Sequence, residues 1–273
     1  MTPKTQKTQK TREPQEMRGR RMSGRTFLIG GGWDAPEVYE PFLRRAKDRA
    51  GGVPRIGCLV VDEGDGAAQF ERYAVALGKT GVAAEAVPLL VPLGERFEAG
   101  AALDGLDGLL VCGGLTPAYQ EAFAGCLERL PRLLAERGMP YAGFSAGAAV
   151  AARHAVVGGW LLDGVPVCPE DTGEDLEEVA VRPGLGLVPF AVDVHAAQWG
   201  TLARLVAAVG RGAVPYGVAV DENTLVEVAD DGGCRVSGRG RVHVVRPAEG
   251  AGASGGAVVR SYAAGEVFGG DES

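Results

Sequence analysis

The sequence predicts an α/β fold with a mostly parallel sheet, helices on both faces of that sheet, and a C-terminal β extension. From residue 25 onward, short and nearly continuous apolar runs alternate with segments whose apolar residues recur at helical spacing. Such runs are typical of strands that are covered on both faces, as in parallel sheets. After residue 156 strand-like runs prevail. These observations predict a doubly covered parallel core that later β structure extends.

The first part of the chain contains five predicted strands and three predicted helices. Each helical segment closes with a glycine, which favours a helix end at that point. In folds of this class, ligands bind where the parallel strands end, at the carboxyl edge of the sheet. The predicted strands are TFLIG (26–30), RIGCLVV (55–61), AEAVPLL (84–90), GLLVCGG (108–114) and PYAGF (140–144), and the predicted helices are EVYEPFLRRAKDRAGG (37–52), AAQFERYAVALGKTG (67–81) and LERLPRLLAERG (127–138).

The second part of the chain is less regular. The alanine-rich run AGAAVAARHA (146–155) predicts a helix, and the acidic stretch PEDTGEDLEE (169–178) predicts a solvated loop. Beyond it, LGLVPFAVDVH (185–195) predicts a strand and QWGTLARLVAAVG (198–210) a helix. Residues 217–245 predict strands with a turn at DDGG. We expect all of this to extend the same core, in one domain over residues 25–273.

The charge distribution argues against a nucleic-acid partner. The chain of 273 residues has a formal net charge of −7 and scattered Lys and Arg, whereas a phosphate-binding surface needs a concentrated basic face. The one basic cluster lies in residues 1–24, which contain few apolar residues. This segment is predicted to be a disordered tail, or an over-long start of the reading frame, rather than a nucleic-acid arm.

The sequence also predicts a cytoplasmic protein without a membrane partner, metal or cofactor. No apolar run of a signal-peptide core follows the basic N-terminal residues, and no run approaches the length of a bilayer span. The five cysteines form no CxxC pair, and their spacing is not that of metal ligands. We therefore expect reduced, mostly packed thiols.

The pentapeptide GFSAG (143–147) places Ser145 between a predicted strand and a predicted helix. A sharp turn there would hold the hydroxyl out at the edge of the sheet, and the flanking glycines would remove Cβ atoms that clash. A second match to the pattern, around Ser254, has no strand before it and no helix after it, so it is interpreted as a flexible loop. Ser145 is the candidate nucleophile, and glycines that only permit close packing are the alternative.

A second glycine turn lies in VCGGLTPAY (111–119), after the predicted fourth strand. If the fourth and fifth strands are neighbours, the backbone N–H groups of this turn lie beside Ser145. Gly114 and Ala146 are then the natural pair of donors to an oxyanion. The alternative is an ordinary tight turn between a strand and a helix.

A serine nucleophile needs a base, and the chain has three histidines. His154 lies nine residues beyond Ser145 on the same predicted helix and would point away from the turn. His243 lies in a late strand-like segment. His195 ends an apolar run before a helix, at the active edge of the predicted sheet, and is the candidate base. Spacing alone does not choose the carboxylate partner of this base among Asp163, Asp193, Asp221 and Glu222.

Taken together, five segments resemble the S51 serine peptidases, the family of cyanophycinase and aspartyl dipeptidase (peptidase E). They are FLIGGG (27–32), CGGLT (112–116), GFSAGAAV (143–150), GLGLVPFAVDVHAAQWGTLARL (184–205) and GVAVDENT (217–224). The resemblance implies a class I glutamine amidotransferase-like fold with a flavodoxin-like core. It also implies Ser145 as nucleophile, His195 as base and Glu222 as the orienting acid, with Asp163 as the reserve acid of the peptidase E branch.

The resemblance further implies hydrolysis of an amide bond in a small peptide, with an aspartyl peptide as one option. The residues expected to bind substrate are Gly113, Leu115, Thr116, Asp193, Gln198 and Arg204. The chain departs from cyanophycinases at Leu115-Thr116 and at Val194, Ala196, Trp199 and Thr201, so their β-aspartyl-arginine polymer is not the expected substrate. An esterase or acyltransferase with the same triad, a non-catalytic small-molecule-binding protein of this fold, and a homodimeric assembly all stay open.

Overall fold

The computed structural model describes residues 26–249 and 256–269. The predicted tail at residues 1–24 and the loop serine Ser254 lie outside these described residues. In the described part of the chain, no helix has both the length and the apolar character needed to cross a membrane.

The elements of the first half follow the predicted alternation of strands and helices. The strands are β1 (Thr26–Ile29), β2 (Arg55–Asp62), β3 (Glu85–Pro92), β4 (Gly108–Val111) and β5 (Tyr141–Phe144). The helices are α1 (Glu40–Ala50), α2 (Gly66–Gly78), α3 (Thr116–Phe123) and α4 (Arg129–Glu136).

Among its described residues, the second half contains two α-helices and many short strands. The helices are α5 (Ala146–Val150) and α6 (Leu202–Gly210). The strands are β6 (His154–Gly158), β7 (Leu161–Leu162), β8 (Val165–Pro166), β9 (Ala180–Pro183), β10 (Ala191–Val194), β11 (Gly217–Val220), β12 (Thr224–Val228), β13 (Gly233–Gly238), β14 (Val242–Pro247), β15 (Ala257–Tyr262) and β16 (Val267–Gly269).

An eight-stranded sheet forms the centre, in the order β16-β13-β12-β1-β5-β4-β2-β3. The five strands from β1 to β3 in this order pair in parallel. Strands β12, β13 and β16 extend the sheet beyond β1 through antiparallel pairs. The predicted α/β class, with a mostly parallel sheet and a C-terminal β extension, is confirmed.

Helices cover both faces of this sheet. In β1, Phe27 and Ile29 pack in one layer together with residues of α1 and α2. Leu28, between them, packs in the opposite layer with residues of α3 and α4. Burial on both faces explains why the central strands are nearly continuous in apolar character.

The later strands do not all join the central sheet. Strands β10, β11, β14 and β15 form a separate four-stranded sheet, in which only β10 and β11 pair in parallel. The strand predicted over residues 185–195 is confined to Ala191–Val194. The backbone at 184–188 instead exchanges hydrogen bonds with residues 150–153.

The helix predicted over residues 146–155 is wrong beyond residue 150. Helix α5 ends at Val150 and β6 begins at His154, so His154 does not lie on the helix that follows Ser145. The carbonyls of Val150 and Ala151 accept hydrogen bonds from the backbone N–H groups of residues 185 and 187. These tertiary hydrogen bonds override the high intrinsic helix propensity of alanine, which is a weak preference.

The acidic stretch at 169–178 is not the fully solvated loop that its composition predicts. It contains a short 3-10 helix, Glu170–Thr172, and the side chain of Thr172 is buried. The stretch packs so closely on Gly158 that a Cβ atom there would lie 2.8 Å from the Cβ of Glu174. One side of the stretch is therefore part of the packed structure, and only the other side is solvated.

We predict that Gly147→Ala disturbs the junction between β4 and α5. A Cβ atom at this position would lie 2.1 Å from the backbone oxygen of Val111, which cannot rotate away. The expected loss in free energy of unfolding is about 1–3 kcal/mol, measured by urea denaturation. The matched control is Gly78→Ala in α2, where nothing lies within 4 Å of the added atom. It should be neutral or slightly stabilising, and equal stabilities of the two variants would contradict the prediction.

Candidate active site

Ser145 occupies a sharp turn between β5 and α5. Its backbone has φ 51° and ψ −115°, a conformation that L-residues rarely adopt. The flanking glycines are required by the close approach of the backbone, because a Cβ at Gly143 would lie 2.3 Å from the oxygen of Gly147. This geometry is that of a nucleophile elbow, which holds the serine hydroxyl at the edge of the sheet.

His195 lies directly after β10 and faces the serine. Its Nε2 is 2.8 Å from the Oγ of Ser145. The imidazole stacks on the ring of Trp199, with 3.8 Å between ring centroids and 6° between planes. Gly31 also lies against the imidazole, since a Cβ there would be 2.1 Å from the Cε1 atom. These contacts fix the plane of the imidazole.

Glu222 lies just after β11 and contacts the other nitrogen of the imidazole. Its Oε1 is 2.7 Å from the Nδ1 of His195. The backbone N–H of Glu222 donates to the side-chain oxygen of Gln198 at 2.9 Å. Gln198 therefore supports the carboxylate-bearing residue. Together with Trp199, Gln198 lines a neighbouring groove, and it is not among the residues that line the pocket at Ser145.

The three residues are tied to one glycine turn that follows β1. The N–H of Ser145 donates to the carbonyl of Ile29, and the N–H of His195 donates to the carbonyl of Gly30, both at 2.9 Å. The N–H of residue 223, next to Glu222, donates to the carbonyl of Gly31 at 2.7 Å. Three consecutive carbonyls thus place the ends of β5, β10 and β11 around one point.

The other candidate acids occupy different places. Asp221 accepts hydrogen bonds from the backbone N–H groups of residues 197 and 241, at 3.0 and 2.8 Å. Asp163 lies in the exposed turn between β7 and β8 and pairs with Arg211. The side chain of Asp193 is buried, and its two oxygens accept hydrogen bonds from Nη2 and Nε of Arg204, at 2.8 and 2.9 Å. Glu222 is the carboxylate that the structure brings to His195.

The predicted oxyanion donors are the backbone N–H groups of Gly114 and Ala146, which lie on two neighbouring turns. Gly113 lies against the elbow, since a Cβ at this position would be 3.0 Å from the Cβ of Ser145. In the part of the chain that the structure describes, the N–H groups of Gly114 and Ala146 make no hydrogen bond within the protein. Ala146 is the first residue of α5. Its amide, like any at a helix start, is free to bind an external acceptor.

A pocket of about 480 Å³ opens at the serine. Carboxylates dominate its polar lining, and no Lys or Arg is among the described residues that line it. Aromatic rings form much of the remaining wall, where Trp33 packs against Tyr73 and Phe144. The lining residues are Trp33, Glu63, Gln69, Tyr73, Gly113, Gly114, Leu115, Phe144, Ser145, Asp171, Thr172, Glu174, Asp175, His195 and Trp199.

The residues expected to bind substrate divide into two groups. Gly113 and Leu115 line the pocket. Thr116 is buried beside it, whereas Asp193 and Arg204 are paired with each other and are only 1% and 3% exposed. The structure does not bring the last two side chains to the pocket, because their charges neutralise each other inside the fold.

The sequence interpretation missed the acidic wall and the aromatic wall of the pocket. Asp171, Glu174 and Asp175 lie in the stretch that composition predicts to be a solvated loop. Trp33 directly follows the glycine turn after β1. Its position just after a strand end is the sequence feature that could have identified it as a pocket residue. In the described ranges 26–249 and 256–269, no group of three or more His, Cys, Asp or Glu is arranged to hold a metal ion.

No family model matches this chain. A cyanophycinase from Trichormus variabilis is 32% identical over 162 residues, which cover 57% of this chain and 50% of the relative. A cyanophycinase from Synechococcus elongatus is 31% identical over 156 residues, which cover 56% of this chain and 46% of the relative. The chain thus matches about half the length of these relatives.

Two solved structures share the fold. The structure of a peptidase from an acI-B1 Actinobacterium matches with a TM-score of 0.59 and 16% identity, covering 90% of this chain and 96% of that chain. A Listeria monocytogenes EGD-e protein, provisionally designated peptidase E, matches with a TM-score of 0.50 and 13% identity, covering 80% and 99%. At these identities the likeness shows the fold alone.

The electrostatics of His195 predict the pH dependence of any reaction in which it acts as a base. Burial lowers the pKa of His195, and the hydrogen bond and charge of Glu222 only partly oppose this. The neutral imidazole, which is the form that can accept a proton, therefore persists below the usual histidine pKa of about 6.5. The rate of phosphonylation of Ser145 by a fluorophosphonate, measured against pH, should have its acid midpoint below that value. A midpoint above it would contradict the prediction.

Proposed function

We propose that this chain is a serine peptidase that hydrolyses an amide bond in a small peptide. Its cyanophycinase relatives support a peptidase S51-like family. The names of the relatives are consistent with a serine-type hydrolase. The observation that carries the proposal is the continuous contact from the Ser145 hydroxyl through His195 to Glu222, at 2.8 and 2.7 Å. This is the arrangement of nucleophile, base and orienting acid that acyl transfer needs.

In the proposed reaction, Ser145 Oγ attacks the carbonyl carbon of the peptide and passes its proton to the Nε2 of His195. The carboxylate of Glu222 accepts the hydrogen bond from Nδ1–H and stabilises the imidazolium. The N–H groups of Gly114 and Ala146 donate to the oxyanion of the tetrahedral intermediate. His195 then gives its proton to the leaving amine as the C–N bond breaks. A water molecule, deprotonated by His195, hydrolyses the acyl-enzyme and restores the serine hydroxyl.

The pocket supports a small substrate with a positive group. Its volume of about 480 Å³ lies in the range of sites for small molecules. The carboxyl groups of Glu63, Asp171, Glu174 and Asp175 line it, so an aspartyl side chain of a substrate would be repelled. We therefore favour a peptide with a free amino group or a basic side chain over an aspartyl peptide with an uncompensated carboxylate.

The nucleophile assignment predicts the result of labelling with a serine-directed fluorophosphonate. The wild-type protein should form one adduct, located at Ser145 by peptide mass mapping, and Ser145→Ala should form none. Ser254→Ala serves as the control because Ser254 matches the same pentapeptide pattern, but the sequence predicts no strand before it and no helix after it. Labelling that persists in Ser145→Ala would sink the assignment.

The orienting role of Glu222 predicts a large kinetic effect without unfolding. Glu222→Gln should lower kcat on the order of 10⁴-fold, because the amide favours the wrong imidazole tautomer. Thermal unfolding checks that the fold is retained. Asp163→Asn is the matched control, since Asp163 pairs with Arg211 on the surface. A collapse of kcat in the Asp163 variant, together with near-normal kcat in Glu222→Gln, would overturn the ranking of the two acids.

Turnover of a peptide panel distinguishes the proposal from its alternatives. The panel contains α- and β-aspartyl dipeptides, and lysyl and arginyl dipeptides, each tested with the wild type and with Ser145→Ala. Release of an amine by the wild type alone supports a peptidase. Turnover of simple esters without turnover of any peptide indicates an esterase. Absence of both turnover and labelling indicates a binding protein of this fold.

A further inference from the structure

We infer that Glu174 is a positioning residue that sets the orientation of the oxyanion-binding turn, and that the buried Asp193–Arg204 pair holds Glu174 in place. The inference rests on the proposed function, because an oxyanion turn matters only if Ser145 attacks a carbonyl group. It assigns a role to the acidic stretch at 169–178, whose partly buried position its composition does not predict.

The turn that carries the Gly114 amide is restrained on both sides by side chains from other parts of the chain. On one side, the N–H of Gly113 donates to the hydroxyl of Tyr73 at 2.7 Å, and the hydroxyl of Tyr119 donates to the Gly113 carbonyl at 3.1 Å. On the other side, the N–H of Leu115 donates to the Oε1 of Glu63 at 3.2 Å. The amide of Gly114 lies between these restraints.

Glu174 supplies the double restraint at the end of this turn. One carboxylate oxygen accepts from the N–H of Thr116 at 2.9 Å, and the other accepts from the hydroxyl of Thr116 at 3.1 Å. Thr116 is the first residue of α3 and is buried. Glu174 thus fixes both the backbone and the side chain of the residue two positions after Gly114.

The backbone just before Glu174 is held by a buried ion pair. Arg204 donates to the carbonyl of Thr172 at 2.7 Å and to the carbonyl of Gly159 at 3.2 Å. The rest of its guanidinium is bound by the two oxygens of Asp193. The carbonyl of residue 173 accepts from the N–H of Gly159 at 2.8 Å. A path of direct contacts therefore runs from Asp193 on β10 through Arg204 to the acidic stretch, and from Glu174 to the oxyanion turn.

The interaction at Thr116 uses both oxygens of the Glu174 carboxylate. Because the Thr116 hydroxyl can also accept a hydrogen bond, a glutamine could keep both contacts, whereas an alanine at position 174 removes both. Burial raises the pKa of Glu174, while the N–H of Thr116 and the charge of Arg204 oppose this shift. The exposed acidic residues of the same stretch, such as Glu177, make no such bridge to the turn.

The test compares Glu174→Ala with Glu177→Ala, which removes the same side chain from an exposed position in the same stretch. The readout is the second-order rate constant for phosphonylation of Ser145 by a fluorophosphonate, together with the final stoichiometry of labelling and the Tm. Glu174→Ala should react about 10- to 100-fold more slowly than Glu177→Ala while reaching the same stoichiometry, because a misplaced donor slows the reaction without removing the nucleophile. Equal rate constants in the two variants would overturn the inference.

A second variant keeps the test decisive if Glu174→Ala fails to fold. Thr116→Val removes the hydroxyl donor and leaves Glu174 in place, whereas Thr116→Ser keeps both donors. Thr116→Val should be slower than Thr116→Ser, and the double variant of Thr116→Val with Glu174→Ala should lose less than the product of the two single effects. Equal rates for Val and Ser would contradict the inference. If the wild type is not labelled at Ser145, the proposed function fails instead, so the two failures are distinguishable.

Discussion

The candidate site depends on hydrogen bonds from three separate chain segments to one glycine turn. The carbonyls of Ile29, Gly30 and Gly31 accept from the backbone of residues 145, 195 and 223. The turn can approach these segments only without side chains, since a Cβ at Gly30 would lie 2.2 Å from the oxygen of Asp221. Ser145 and His195 both have positive φ values, of 51° and 54°. Their strained backbones persist because this turn and the strand ends determine them together.

A second layer of constraints surrounds this turn. The Asp193–Arg204 pair is almost fully buried and joins β10, α6 and the acidic stretch. Loss of either partner would leave a buried charge without compensation, which is far more costly than exchanging the pair for apolar residues. The pair therefore makes the acidic wall of the pocket part of the rigid structure. In the proposed function, the charge of the pocket wall and the position of the oxyanion-binding turn would therefore both depend on this segment.

Much of the fold and the position of the candidate nucleophile could be predicted from local sequence because the signals were themselves local. The apolar run before Ser145 and the glycines around it determine a strand and a sharp turn, and His195 follows an apolar run in the same way. Glu222 could not be chosen by spacing, since four carboxylates lie at the ends of apolar runs and the choice depends on which strand pairs beside β10, which the structure shows to be β11. The prediction of Glu222 came from the resemblance to S51 peptidases.

The errors arose where tertiary contacts override composition. The helix that begins at residue 146 ends early because backbone N–H groups around residue 185 donate hydrogen bonds to its last carbonyls. The stretch at 169–178 appears polar in sequence, yet Arg204, a distant residue, anchors it from inside the fold. The resemblance to S51 peptidases implied that Asp193 and Arg204 bind substrate, but their charges pair with each other. No local pattern carries that information.

The most direct test of the account is the crystal structure of the fluorophosphonate adduct. The account predicts phosphorus bonded to the Oγ of Ser145. It also predicts a phosphonyl oxygen within about 2.7–3.1 Å of the N–H groups of both Gly114 and Ala146. The Nδ1 of His195 should remain hydrogen-bonded to Glu222. An adduct on another residue, or a phosphonyl oxygen turned away from both amides, would contradict it.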